Sequence, residues 1–388
     1  LLKCIYNFKK WGFIMKRVKK ILLTTMILMA ALTGCKEKEK ENIKIVVAGP
    51  LTGDNAEYGN GFKNAAELKI KEYNENGGVL GKQVILETYD DKNTGEEGAT
   101  IAQKISSDSD VVAVIGHFSS GVSMVAAPTY DENKIIQISP SASHPDYASL
   151  GKYIFRNNTV INIEAEEGVK LATQVLNGKK IGLLSIRTDW GTSTAEITKE
   201  LIKKYGATLV GHEEVVEGSD DYLPNVTKLN DAGAEVVIVA GMYNTLAPFA
   251  RQYKSINPNI EFVGFSNAYS NQLLELGGEA VENVHFPTIF FHESTNESVK
   301  EFVKKYEKAY ESLPNSLTAQ AYDSVGIVLE AIKKANSLDA EKVRNEVQNI
   351  DYNGVTGETK FDENGDAIKS FVYVKVENGK FVEVSKEK

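Results

Sequence analysis

Val111–Pro145 constrains this chain more than any other stretch. Val111–Ile115 is a short apolar, β-branched run, the pattern of a strand buried on both faces. Gly116 breaks it, Ser119 and Ser120 follow, and a helical pattern begins with Val122, Val125 and Ala126. Ser120 is expected to cap that helix, its hydroxyl accepting an early helix N–H. Ile135, Ile136 and Ile138 make a second strand that ends in Ser139-Pro140-Ser141-Ala142-Ser143. In a parallel sheet both hydroxyl-rich loops lie at the carboxyl ends of neighbouring strands, where open α/β folds bind ligands. Free N–H groups at a helix start attract an anion such as a carboxylate. The two loops are therefore expected to hold one end of a small molecule. For a single serine, capping or turn closure is the commoner role; two such loops on successive strands favour binding.

The same alternation runs through the rest of the chain. Strands are expected at Ile43–Ala48, Val84–Tyr89, Tyr153–Asn157, Lys180–Ile186, Thr208–Val216, Glu235–Ala240, Glu261–Phe265 and Val284–Ile289. Helical patterns separate them, and three helices follow at about Glu297–Ser312, Thr318–Ala335 and Ala340–Gln348. Near the end, Asn364-Gly365-Asp366 and Asn378-Gly379 carry turn chemistry between alternating segments, as in antiparallel hairpins. The fold class is α/β, with two similar lobes, each a parallel-rich sheet flanked by helices.

The front end is a targeting segment. Lys16-Arg17-Val18-Lys19-Lys20 is a basic region, and Ile21–Ala31 is apolar but too short to span a bilayer comfortably. Leu32-Thr33-Gly34 then precedes Cys35, as in a bacterial lipoprotein signal whose cysteine is lipidated. Residues 1–34 are read as upstream residues plus signal peptide, with the true start at Met15, and residues 35–42 as lipidated cysteine and charged tether. The two cysteines, Cys4 and Cys35, both precede the body, which excludes a disulfide framework there. The chain carries −9 overall although its front end is basic, so the body is a poor nucleic-acid partner.

Several chemistries are excluded by spacing. Gly78-Val79-Leu80-Gly81-Lys82-Gln83 is too short for a phosphate loop and lacks Ser/Thr after the lysine. Gly116-His117-Phe118-Ser119-Ser120-Gly121 is not a nucleophile elbow. The glycine in Asp362–Asp366 comes too early for a calcium loop, and the five histidines show no metal spacing. His117 could act as a base beside the serines, but no orienting carboxylate is evident in the sequence, so a structural role is expected. No cofactor or metal is expected, and the chain is read as a binding protein rather than an enzyme.

The ordered landmarks Gly49-Pro50-Leu51-Thr52-Gly53, Tyr58-Gly59, Gly77-Gly78-Val79-Leu80-Gly81, Asp90-Asp91, Ile115-Gly116-His117, Ile138-Ser139-Pro140, Phe155-Arg156, Ala321-Tyr322-Asp323 and Phe361–Gly365 span the body. Together they resemble the substrate-binding proteins of branched-chain amino acid ABC transporters, the leucine/isoleucine/valine type of periplasmic binding protein type I. The resemblance implies three hinge strands, crossing near Arg156, Phe290 and Tyr352, with lobe 1 at 43–157 and 291–350 and lobe 2 at 158–290 and 351–388. It implies ligand contacts at Tyr58, Ser120, Ser141, Ala142, Ser143, Trp190, Tyr243 and Ser266. Ser120 and Ser143 would take the ligand's carboxylate, and the carbonyl of Ser141 its ammonium. It further implies an ABC permease as partner, a membrane attachment through lipid on Cys35, and a monomer.

One departure stands out. The family usually presents a lobe-2 acid to the ammonium after the strand matching Glu261–Gly264, yet here Phe265-Ser266-Asn267-Ala268-Tyr269 carries none. A buried ammonium without a counter-charge is costly. Asp189, beside Trp190, could substitute. Alternatively the ligand is a small amide or a carboxylate lacking an amine, with Trp190, Phe265 and Tyr269 around it. A sensory domain of the same fold, reporting to a signalling partner, is the second functional class.

Overall fold

The computed structural model describes residues 42–384; Cys35 and the signal segment lie outside them. Five strands, β1 (Ile43–Gly49), β2 (Val84–Asp90), β3 (Val111–Gly116), β4 (Ile136–Ser139) and β5 (Ile154–Arg156), form a parallel sheet in the order β2-β1-β3-β4-β5. Helices α1 (Ala56–Glu75), α2 (Gly95–Ser106) and α3 (Ser120–Glu132) alternate with them. Both faces of the sheet are covered. Along β1, Ile43, Ile45 and Val47 enter one apolar cluster while Val46 and Ala48 enter another, the period-2 division a strand imposes. That explains why the sequence reads as continuous apolar runs.

The second lobe repeats the design. Strands β6 (Lys180–Ile186), β7 (Thr208–Val215), β8 (Val236–Ala240), β9 (Glu261–Val263) and β10 (Val284–Thr288) are parallel in the order β7-β6-β8-β9-β10. This is the first lobe's order over again. Its helices are α4 (Ile161–Lys170), continued by one π turn at Leu171–Val175, α5 (Asp189–Lys204), α6 (Leu223–Asp231), α7 (Tyr243–Ile256) and α8 (Asn271–Gly277). Three more, α9 (Glu297–Tyr310), α10 (Ser316–Ala335) and α11 (Ala340–Gln348), follow β10, and α10 packs on α1. Side chains start many of these helices: Thr94, Thr188 and Asn315 each accept a backbone N–H of the first turn.

The C-terminal part divides where the sequence reading kept it whole. Residues expected in the second lobe from 351 onward first build a separate antiparallel sheet, β11 (Tyr352–Gly354), β12 (Gly357–Phe361) and β13 (Ala367–Ile368). This sheet is tied to the first lobe. Asp323 on α10 accepts the N–H groups of Val355 and Thr356, and Arg156 pairs with Asp366. Only the hairpin β14 (Val372–Glu377) and β15 (Lys380–Val384) joins the second sheet, antiparallel on the β10 edge.

Candidate functional site

A cavity of about 360 Å³ opens where the carboxyl ends of the two parallel sheets face each other. Its walls are the loops that follow the strands. Asn93, Ser119–Ser120, Ser141, Ser143 and Asn158 come after β2 to β5; Thr188–Trp190, Glu217, Met242 and Ser266–Asn267 come after β6 to β9. In each sheet the order reverses beside its first strand, and a crevice of that kind is where such folds hold ligands.

The first-lobe wall departs from expectation at one residue. Ser119, not Ser120, caps α3, its hydroxyl accepting the Val122 N–H at 3.4 Å. Ser120 lies one residue further, turned to the next loop, where its Oγ accepts the N–H groups of Ser143 at 3.2 Å and His144 at 3.3 Å. Two accepted bonds leave that hydroxyl its own proton to donate into the cavity. Ser141 Oγ donates to the Phe118 carbonyl at 2.6 Å, and Asn158 donates to the Ser141 carbonyl at 2.9 Å. So Ser120, Ser141 and Ser143 are brought together. Ala142 is not part of the wall: it is fully buried in the first-lobe core, its N–H donated to Ser139 Oγ.

Arg156, fully buried, braces this loop from behind. It pairs with Asp366 and donates to the carbonyls of Ala142, His144 and Pro145. His117 has an orienting carboxylate after all, since its Nδ1 lies 2.6 Å from Asp91 Oδ2. Its other ring nitrogen reaches the Tyr130 hydroxyl at 3.2 Å rather than a serine, and both His117 and Asp91 are buried. The pair is a strut beneath the loop.

The second-lobe wall is acidic. Trp190, at the start of α5, lines the cavity with Phe265 packed edge-on behind it at 6.0 Å. Tyr269 lies instead in the second-lobe core, against Phe286 and Phe381. Asp189 does reach the cleft; its Oδ2 stands 2.8 Å from where a Cβ on Gly121 would be, so a side chain there would push the carboxylate aside. Glu217 and Glu164 complete a set of three carboxylates, and no Lys or Arg is among the described lining residues. Burial raises the Glu217 carboxyl above its ordinary range. Glu164, on α4, is fully enclosed, and burial lifts it from 4.5 to about 7 even though Ser266 hydrogen-bonds it. The Ser266 N–H donates to Glu164 Oε1 at 2.7 Å.

The profile of the family described as periplasmic binding protein matches residues 42–380. The chain belongs to the periplasmic binding protein family. Leu/Ile/Val-binding protein homolog 1 of Brucella abortus is 28% identical over 343 residues, covering 87% of this chain and 91% of that one. The branched-chain amino acid transporter substrate-binding protein of Streptococcus pneumoniae, solved with isoleucine, matches with a TM-score of 0.82 and 25% identity over 88% of this chain and 100% of that one. A solute-binding protein of an ABC transporter from Rhodopseudomonas palustris, solved with 3,4-dihydroxybenzoic acid, has a TM-score of 0.82 at 22% identity over 89% of this chain and 97% of that one, and shares the fold. Such relatives bind solutes and are not enzymes.

In this periplasmic binding protein the lobes also touch directly beside the cavity. The Tyr58 hydroxyl donates to the Asn267 carbonyl at 2.6 Å, and the Tyr58 ring stacks on Phe118 at 4.3 Å. Glu57 accepts from Ser270 at 2.6 Å and from Asn315 at 3.1 Å, and Tyr243 hydrogen-bonds it as well. Burial raises the Glu57 carboxyl. Tyr58 and Tyr243, expected to touch ligand, therefore lie outside the described lining and join the lobes instead.

Sequence reasoning passed over Glu164, Glu217 and the brace made by Arg156. For Glu164 a signal existed. It occupies the apolar face of α4 with Ile161, Ala165, Gly168 and Val169, the spacing of a buried stripe. A charge there needs a partner or a function.

Proposed function

We propose that this protein is the solute-binding component of an ABC importer, capturing an amino acid, first of all a branched-chain one, between its lobes. The observation that carries the reading is the pairing of walls: the hydroxyls of Ser120 and Ser143 on one side, carboxylates on the other. An amino acid is anionic at one end and cationic at the other, and matches that polarity. The amino acids named for the Brucella and Streptococcus relatives support the same class. Hinge closure by contacts to both lobes is the mechanism, with no chemistry. The lipobox-like Leu32–Cys35 supports anchoring through Cys35 on the outer side of a bacterial membrane, with a permease as partner. Metabolic labelling with an alkynyl fatty acid, lost in Cys35→Ala, tests the anchor.

A second reading is a carboxylate without an amine, favoured by the acid-free Phe265-Ser266-Asn267 stretch. Titration calorimetry with the common amino acids against benzoate and small amides separates them. Amino-acid binding supports the first reading; benzoate binding with no amino-acid binding overturns it.

A further inference from the structure

Glu164 is a buried carboxylate in a cavity wall, hydrogen-bonded by Ser266 and, among the described residues, in no ion pair with Lys or Arg. Of the neighbouring acids, Asp189, Glu166 and Glu167 are compensated, and Glu217 only in part. Asp189 sits in the first turn of α5, where the helix dipole favours a negative charge. Glu217 is hydrogen-bonded by Asn55. Glu166 and Glu167, on the same helix as Glu164, pair with Lys204 and Lys170. A desolvated carboxylate without a cation is either protonated or completed by something that enters the cavity. The cavity also holds an orphan acceptor: Glu217 Oε1 is buried and takes no hydrogen bond from the described residues. Unmatched acceptors call for a donor-rich occupant, and an ammonium offers three donors and no acceptor.

We propose that Glu164, seated by the Ser266 N–H, is the group by which this cleft selects an amine-bearing ligand. The proposal rests on the amino-acid reading above and names the residue that enforces it. Ser266 occupies the loop where the resemblance places a counter-charge; Glu164 supplies it from α4, through space. Burial keeps Glu164 protonated below about pH 7, and an ammonium beside it favours its ionised form. Binding such a ligand near neutrality therefore releases a proton, and affinity rises as pH climbs toward and past 7. Elements packed on α4 carry other titratable groups: Asp189 and the α5 lysines, and His285 on β10, whose pKa burial lowers. Glu217 lines the same cavity and burial raises its carboxyl in the same direction, so its own variant is the control.

The test is titration calorimetry of the full chain with leucine, isoleucine and valine, each beside the carboxylate lacking its amine, for example 4-methylpentanoate for leucine. Glu164→Gln keeps an acceptor for Ser266 and removes the charge. Wild type is expected to bind the amino acid over its deaminated partner, with affinity rising between about pH 5.5 and 8 and protons released. Glu164→Gln is expected to weaken the amino acid on the order of 10- to 100-fold, to flatten the pH profile and to narrow the discrimination. Glu217→Gln is expected to retain the pH step. If an amino acid binds and Glu164→Gln leaves its affinity and pH profile unchanged, this inference fails and the amino-acid reading stands. If none of the three amino acids binds, the amino-acid reading falls first and takes this inference with it.

Discussion

Glu164 makes a prediction that needs no ligand. In the folded protein its carboxyl holds a proton up to about 7, against 4.5 for an ordinary glutamate. An acid with a raised folded pKa contributes stability that is full below 4.5 and is lost as pH rises through about 7. At roughly 1.4 kcal/mol per pH unit between the two values, the loss is about 3 kcal/mol. Glu164 is fully enclosed, so solvent does not screen this away. Glutamine at the same place accepts the Ser266 N–H and never ionises. Urea unfolding of wild type and Glu164→Gln without ligand, from pH 4.5 to 8, reads the difference directly. Glu57 and Glu217, also raised by burial, are present in both proteins and cancel. The variant is expected to gain on wild type steadily through the window and to level off about 3 kcal/mol ahead above pH 7. A difference that stays flat with pH would refute the reasoning, since Glu164 would then be watered or paired in the folded protein.

Three further outcomes follow from the first-lobe wall and the contact between lobes. Ser120→Ala strips the acceptor from two backbone N–H groups, so it is expected to cost about 1–3 kcal/mol in denaturant unfolding and about tenfold or more in ligand affinity; lost stability with intact affinity would make the hydroxyl a brace only. Tyr58→Phe keeps the stack on Phe118 but removes the bond to Asn267, and stopped-flow fluorescence is expected to show ligand release speeding up about fivefold, as for a bond worth about 1 kcal/mol. Arg156→Leu orphans Asp366 and frees three loop carbonyls, which is expected to cost about 3–5 kcal/mol. Adding Asp366→Leu should restore part of that stability without restoring the loop, so affinity stays low in a titration.

What was legible in the chain follows from which physical signals are local. The parallel strands could be read because burial on both faces leaves uninterrupted apolar runs, such as Val111–Gly116 and Val236–Ala240, whose ends are then marked by glycine or hydroxyl residues. The serine loops could be read for the same reason, because successive parallel strands must deliver their loops to one edge. Which serine caps α3 could not: Ser119 and Ser120 are both sound caps, and one residue's rotation about the helix axis decides which side chain faces the neighbouring loop. The second-lobe acid was hidden more deeply. The acid is expected in the loop past β9 that brings Ser266, while the carboxylate that meets Ser266 is 102 positions earlier on α4. A charge need only be supplied at a point in space, and any element reaching that point can supply it. What the sequence offered was an anomaly, a glutamate within an apolar stripe, and burial without a cation turns such an anomaly into a demand on the ligand. The acid-free loop after β9, which taken alone points toward a ligand without an amine, thus points the other way once α4 is packed against it.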